Sequence, residues 1–231
     1  MKSIRVKLSN LASLYNELGA STFFAYCIHT ALRKLGKQNA LQYYHFYSQP
    51  IGPSNPHDPK RKSAFTFTWH ESFSPLMLQL PRPEHRLRDR FKQKTTCVLG
   101  SKCGKLVSCA WFAYEAYEED EVWCRYDFSS SPESVWDYDI FVSPDYRLGR
   151  AFHLTWQAAA SRLYIAGYRR TLSRISAYNP NSLKSHERLG AQRCGSALYL
   201  RLGTLQIMAS NKAPYLQMTA NQKDRPVLHF D

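Results

Sequence analysis

The sequence predicts an α/β protein with a mixed, mostly antiparallel sheet flanked by helices. Three observations carry this. Of the 231 residues, 44% are hydrophobic and 14% aromatic, enough to build a sizeable core. From residue 95 onward the patterns run strand, strand, strand, helix, strand, helix, strand, strand. Turn signals at Gly100–Gly104 and Gly203 sit inside two of the strand pairs.

The elements follow in order. Residues 9–36 carry apolar side chains at three- and four-residue spacing from Ala20 to Leu35, with Gly36 as a stop, which predicts a helix. Arg33, Lys34 and Lys37 suit the negative end of its dipole. Its apolar stripe is expected to pack on the domain; a basic amphipathic helix on a membrane surface is the alternative. Residues 40–51 are aromatic and strand-like, 52–62 hold three prolines and read as a loop, and 63–70 read as a second strand. Residues 83–93 open on proline and fit a short helix. Strands at 95–100 and 105–113 form a hairpin, and the Gly100-to-Lys105 run lacks the spacing of a phosphate loop. A strand at 137–142 precedes a helix from about Leu148 to Ala166. A strand at 171–177, a helix at 180–189 and a closing hairpin at 196–209 complete the pattern. The chain beyond 211 is polar and expected to be peripheral. The implied organisation is an N-terminal extension over 1–62, a domain over 63–210 and a tail over 211–231.

No stretch is apolar enough to span a membrane, and the start lacks a cleavage signal, so a cytoplasmic protein is expected. The six cysteines form no C-x-x-C pair, which points to thiols rather than a disulfide frame or zinc site, and no metal is expected. The net charge of +13 favours an anionic ligand, although residues 115–139 invert it, with nine carboxylates against Arg125 alone. Nothing marks a specific nucleic-acid site, and the oligomeric state is open between monomer and homodimer.

The chemistry concentrates in two segments. In 142–152, VSPDYRLGRAF, a strand ends, a glycine turn follows and a helix begins. The first amides of a helix lack internal partners and attract anions; Gly149 leaves the backbone open, and Arg147 and Arg150 add charge. The second segment is 179–191, NPNSLKSHERLGA. Together the two resemble the GNAT superfamily of N-acetyltransferases. Tyr146, Arg147, Leu148, Gly149, Arg150 and Ala151 match that family's Q/R-x-x-G-x-G/A motif, with Tyr146 in the Gln/Arg place. Asn179, Ser182, His186, Leu189, Gly190 and Ala191 match its later N-x-x-S/A motif and L-G-F-like end. The match covers residues 95–209.

The resemblance implies the acyl-CoA N-acyltransferase fold and transfer of an acetyl group from acetyl-CoA to a primary amine. The acceptor is a small molecule or peptide amine, attacking directly within a ternary complex. Coenzyme A would have its diphosphate on residues 146–151 and its pantetheine arm along Phe141 and Val142, with Asn179 and Ser182 nearby. His186, at the position of the family's acid, would protonate the leaving thiolate. Asp137 and Asp139, which alternation places on one strand face, are candidate bases, as is Glu115. The acidic stretch 115–139 would line the acceptor entrance. A longer acyl donor, an acyl carrier protein, or a non-catalytic acyl-CoA-binding or nucleic-acid-binding module are the alternatives.

Overall fold

The computed structural model describes residues 12–37, 39–53, 64–147 and 149–231. In chain order its elements are α1 (Ala20–Lys34), β1 (Leu41–Pro50), β2 (Thr66–His70), α2 (Glu84–Phe91), β3 (Thr95–Lys102), β4 (Lys105–Ala113), β5 (Ala116–Glu118), β6 (Arg125–Asp127), β7 (Ser134–Val142), α3 (Ala151–Ile165), β8 (Arg170–Ser176), α4 (Pro180–Glu187), β9 (Gln192–Leu202), β10 (Leu205–Ser210), β11 (Leu216–Thr219) and β12 (Val227–His229). The class is the one predicted. The chain divides into two compact units. The first is Met1–Gln49, Glu118–Tyr126 and Arg174–His229; the second is Pro50–Tyr117, Asp127–Ser173 and Phe230–Asp231.

In the second unit, β2, β3, β4 and β7 pair antiparallel in that order. β7 then pairs parallel with β8, Ser134–Asp137 against Arg170–Ser173. The β3–β4 hairpin turns on Cys103 and Gly104, both at positive φ (49° and 74°), the backbone of a type I′ turn. After Lys105, β4 is buried at every residue, so it reads as a continuous apolar run rather than an alternating one. One face meets α3, where Ser108 Oγ lies 2.6 Å from Thr155 Oγ1 and Phe112 packs near Trp156. The other face stacks Trp136 and Tyr138 on Tyr117, Phe128 and Phe230. Each fully buried ring there contributes about 1.5–3 kcal/mol over its exposed state.

The first unit holds β1, β9, β10 and β11, each antiparallel to the next. Tyr44, Phe46 and Tyr199 fill one face against Tyr126. The Ala177 amide donates to Tyr43 O, tying the exit of β8 to β1.

Three expectations change. The helix expected over 9–36 is broken at Gly19, whose φ of 73° no helix interior accepts, and residues 9–11 lie outside the described residues. Helix α3 begins at Ala151 rather than 148, because Pro144–Tyr146 coils first into a 3₁₀ turn. The chain beyond 211 is not peripheral: it adds β11 and β12 and buries Leu228 and Phe230. Most of the proline-rich loop, residues 54–62, lies outside the described residues.

Candidate active site

In the second unit, β7 delivers the chain to the turn before α3. Ser143 N–H donates to Val107 O, fixing the strand end. The Tyr146 and Gly149 amides are used internally, on Ser143 O and Tyr146 O. The α-helical ladder opens with Leu154 N–H on Arg150 O, so the amides around Ala151 belong to the unladdered first turn. Arg147, Gly149 and Arg150 are exposed, and no side chain among the described residues caps the helix. Arg147 reaches back with Nε on Val142 O. Phe141 and Val142 are half-buried, paired with Cys109 and Ser108. Leu148 lies outside the described residues.

Gly149 is informative. Its φ is not positive, and among the described residues a Cβ built on it would meet only Tyr146 O, at 3.4 Å. Neither backbone strain nor internal packing demands a glycine there, whereas a ligand approaching the backbone from outside would. With two arginines and a helix N-terminus beside it, the turn fits an anionic group of the diphosphate kind.

The two candidate bases part company. Between Cys109 and Trp111, β4 spends one residue where β7 spends two, Asp139 and Ile140. This is a β-bulge, with Asp139 at φ 47°. The extra residue resets the alternation, so Asp137 and Asp139 face opposite ways, contrary to the expectation of one face. Asp137 shares the α3-facing side with its partner Phe112. It is 2% exposed, and burial pushes its carboxyl up to about 7. Oδ2 has no hydrogen-bond partner among the described residues. Asp139 turns to the other side. Arg90 Nη1 lies 2.5 Å from its Oδ2 and Arg82 Nη2 2.8 Å from its Oδ1. Burial alone would raise Asp139, but the two guanidiniums outweigh it and hold the carboxyl below its usual range. An acid so engaged is not a free base, which corrects that expectation. Arg82 and Arg90 were not foreseen: they lie 57 and 49 positions away in the chain. Glu115 is exposed, 3.8 Å from Lys94.

Asn179, Ser182 and His186 belong to the first unit. Asn179 is the N-cap of α4, its Oδ1 accepting the Ser182 amide at 3.1 Å. His186 is 5% exposed, and burial lowers its pKa to about 4. It is neutral at pH 7, so the proton-donating imidazolium expected near neutrality does not form there.

The acidic stretch is also engaged. Glu119, with a fully buried side chain, takes Arg174 in a two-point pair at 2.7 and 2.8 Å. Glu121 accepts from Arg174 and from the Tyr44 hydroxyl. Glu118 meets Arg125 and Arg225. These carboxylates hold residues 118–126 in place; they do not form a free acidic rim.

A separate cavity of about 440 Å³ in the second unit is bordered by Trp69, Phe91, Tyr114, Arg162 and Tyr168. It sits at the C-terminal end of α3, about 22 Å along the helix from its N-terminus at 1.5 Å per residue.

No family model matches the chain, and no curated protein does. Several solved structures are similar. One is a functionally unknown conserved protein from Staphylococcus epidermidis, at 10% identity and TM-score 0.46, covering 72% of this chain and 62% of that one. Another is AAC(6')-Iy in complex with the bisubstrate analogue CoA-S-monomethyl-acetylneamine, at 20% identity and TM-score 0.42, covering 55% and 90%. A third is a GCN5-related N-acetyltransferase from Sphaerobacter thermophilus, at 12% identity and TM-score 0.45, covering 72% and 54%. The chain thus spans less than two thirds of the first and third of these. Its neighbours among solved structures include several GCN5-related N-acetyltransferases, the GNAT family that its two motifs resemble.

Proposed function

We propose that the chain is an acyl-CoA-dependent N-acyltransferase that passes an acetyl group from acetyl-CoA to a primary amine within a ternary complex. The observation that carries this reading is the exposed turn at Gly149, a glycine that neither its φ nor its neighbours require, set against the start of α3 between Arg147 and Arg150. The first-turn amides of α3 and the two guanidiniums would hold the diphosphate beside the open Gly149 backbone, and the backbone at Phe141 and Val142 would run beside the pantetheine arm. Bound there, the donor supplies an acyl carbon activated by a thiolate leaving group. The chain's part is positioning and charge complementarity. Asp139 orients rather than accepts protons, since two arginines already claim it. Asp137 is buried within the sheet, so an acceptor arriving as the neutral amine suits the site best.

Calorimetric titration with acetyl-CoA tests this. One site per chain is expected. Gly149→Val and Arg150→Glu should each weaken it about tenfold or more, equivalent to about 1.4 kcal/mol, with melting temperature unchanged. No heat of binding, or binding indifferent to both substitutions, would sink the reading.

A further inference from the structure

Two elements of the first unit leave an apolar face open to solvent. Helix α1 presents Ala20, Phe24, Cys27, Ile28, Ala31 and Leu35 to solvent, at the spacing of one helix face. Phe24 is 64% exposed, Ile28 54% and Leu35 75%. The side turned to the protein is mixed: Thr22 is buried, and Phe23, Ala25, Tyr26, His29, Thr30 and Leu32 are half-buried. Tyr26 and His29 pack on Tyr178, and His29 Nδ1 lies 2.6 Å from Leu41 O.

Leu41 opens a row that runs across the sheet. Directly paired residues share a face, so Leu41, Leu200, Ile207 and Met218 form one line across β1, β9, β10 and β11. Leu198, Ala209 and Leu216 form the next, and Leu202 with Leu205 a third. Every residue of β9–β11 in these rows is apolar. Toward the edge they open to solvent, with Met218 at 61% and Leu216 at 69%. The opposite face is buried, through Ala197, Tyr199 and Met208 together with Gln206 and Thr219. An antiparallel sheet with one wet face normally puts its polar residues on that face. Here the wetter face is apolar too, and it adjoins α1, with its apolar stripe, at Leu41.

Charge decides what covers this surface. No Asp or Glu occurs in α1, β9, β10 or β11, while Arg33, Lys34 and Lys37 stand exposed at the end of α1. A second copy seated there would bring like charges together. An anionic lipid surface would neutralise them while taking up the apolar side chains. We infer that the outward stripe of α1 and the adjoining β9–β11 face form a docking surface for an anionic bilayer, with Phe24, Ile28, Leu216 and Met218 inserted shallowly and the basic end of α1 among the headgroups. No helix among the described residues is long and apolar enough to cross, so the contact is interfacial.

The test is flotation of the full chain with vesicles of phosphatidylcholine alone and of an equimolar mixture with phosphatidylglycerol. Binding to the mixed vesicles is expected, weak on phosphatidylcholine and falling as salt rises. Phe24→Asp with Ile28→Asp, and separately Leu216→Asp with Met218→Asp, should each lower the partition coefficient about tenfold or more. Arg33→Glu with Lys34→Glu should do likewise through charge. All six positions are solvent-exposed, so melting temperatures should hold, and acetyl-CoA binding serves as a second check on the fold. Absence of the chain from floated anionic vesicles would overturn the inference. So would binding indifferent to the helix and sheet variants, or a dimer in light scattering that these variants dissolve.

Discussion

Asp137 and Asp139 show how little a residue's type fixes its chemistry. Two positions apart on one strand, they shift in opposite directions, because Asp137 is buried without a charged partner among the described residues while a bulge turns Asp139 to Arg90 and Arg82. The Asp137 shift has a sign that can be measured. Its folded carboxyl sits at about 7, against 3.8 ordinarily. Between those values the folded state keeps a proton that the unfolded chain has lost. The stabilisation is therefore complete below about pH 4 and is lost as pH rises through 7, by at most roughly 4 kcal/mol at 1.36 kcal/mol per pH unit. His45 and His186, lowered by burial to about 4, work the other way and lose stability as pH falls below their ordinary 6.5. Asp137→Asn should therefore steepen the rise of stability between pH 5 and pH 7, read as urea midpoints. Identical slopes in parent and variant would remove the shift assigned to Asp137.

At the scale of elements, α4 shows a motif with two readings. Asn179 and Ser182 are spaced as the resemblance requires, and the same spacing makes an N-cap, which is what the structure displays. Asn179→Ala should cost about 1 kcal/mol as a lost cap. Asn179→Ser keeps a capping oxygen but no amide, so it should retain stability. A weaker acetyl-CoA titration in the Ser variant would add a ligand contact to the cap; an unchanged one would leave the cap as the residue's whole role. Helix α1 is the complementary case. Its periodicity specified a helix whose apolar stripe was expected to pack on the domain; Phe24, Ile28 and Leu35 of that stripe look outward instead, since the facing depends on what lies beside the helix.

For the whole molecule, the acidic stretch 115–139 acquires its meaning from distant arginines. Arg174 lies 55 positions from Glu119 and fastens residues 118–126 within the first unit, with its guanidinium over the Tyr44 ring. Removing one partner strands a buried charge. Arg174→Met should lower stability by about 3–5 kcal/mol, and adding Glu119→Leu should recover part of it. Both are checked by chemical denaturation. Additive losses in the double variant would show that the pair is not coupled.

By itself the sequence determined the α/β class, most strand and helix positions, both hairpin turns and the glycine turn before α3. Each of these is written in local pattern: apolar spacing, turn residues and the fixed geometry of a helix start. Tertiary structure decided which face of α1 looks outward, which way Asp139 points, that the chain beyond 211 adds strands, and that Glu118, Glu119 and Glu121 are paired with arginines. Those outcomes depend on contacts between residues from 12 to 107 positions apart or on one bulged residue, and no local periodicity encodes either.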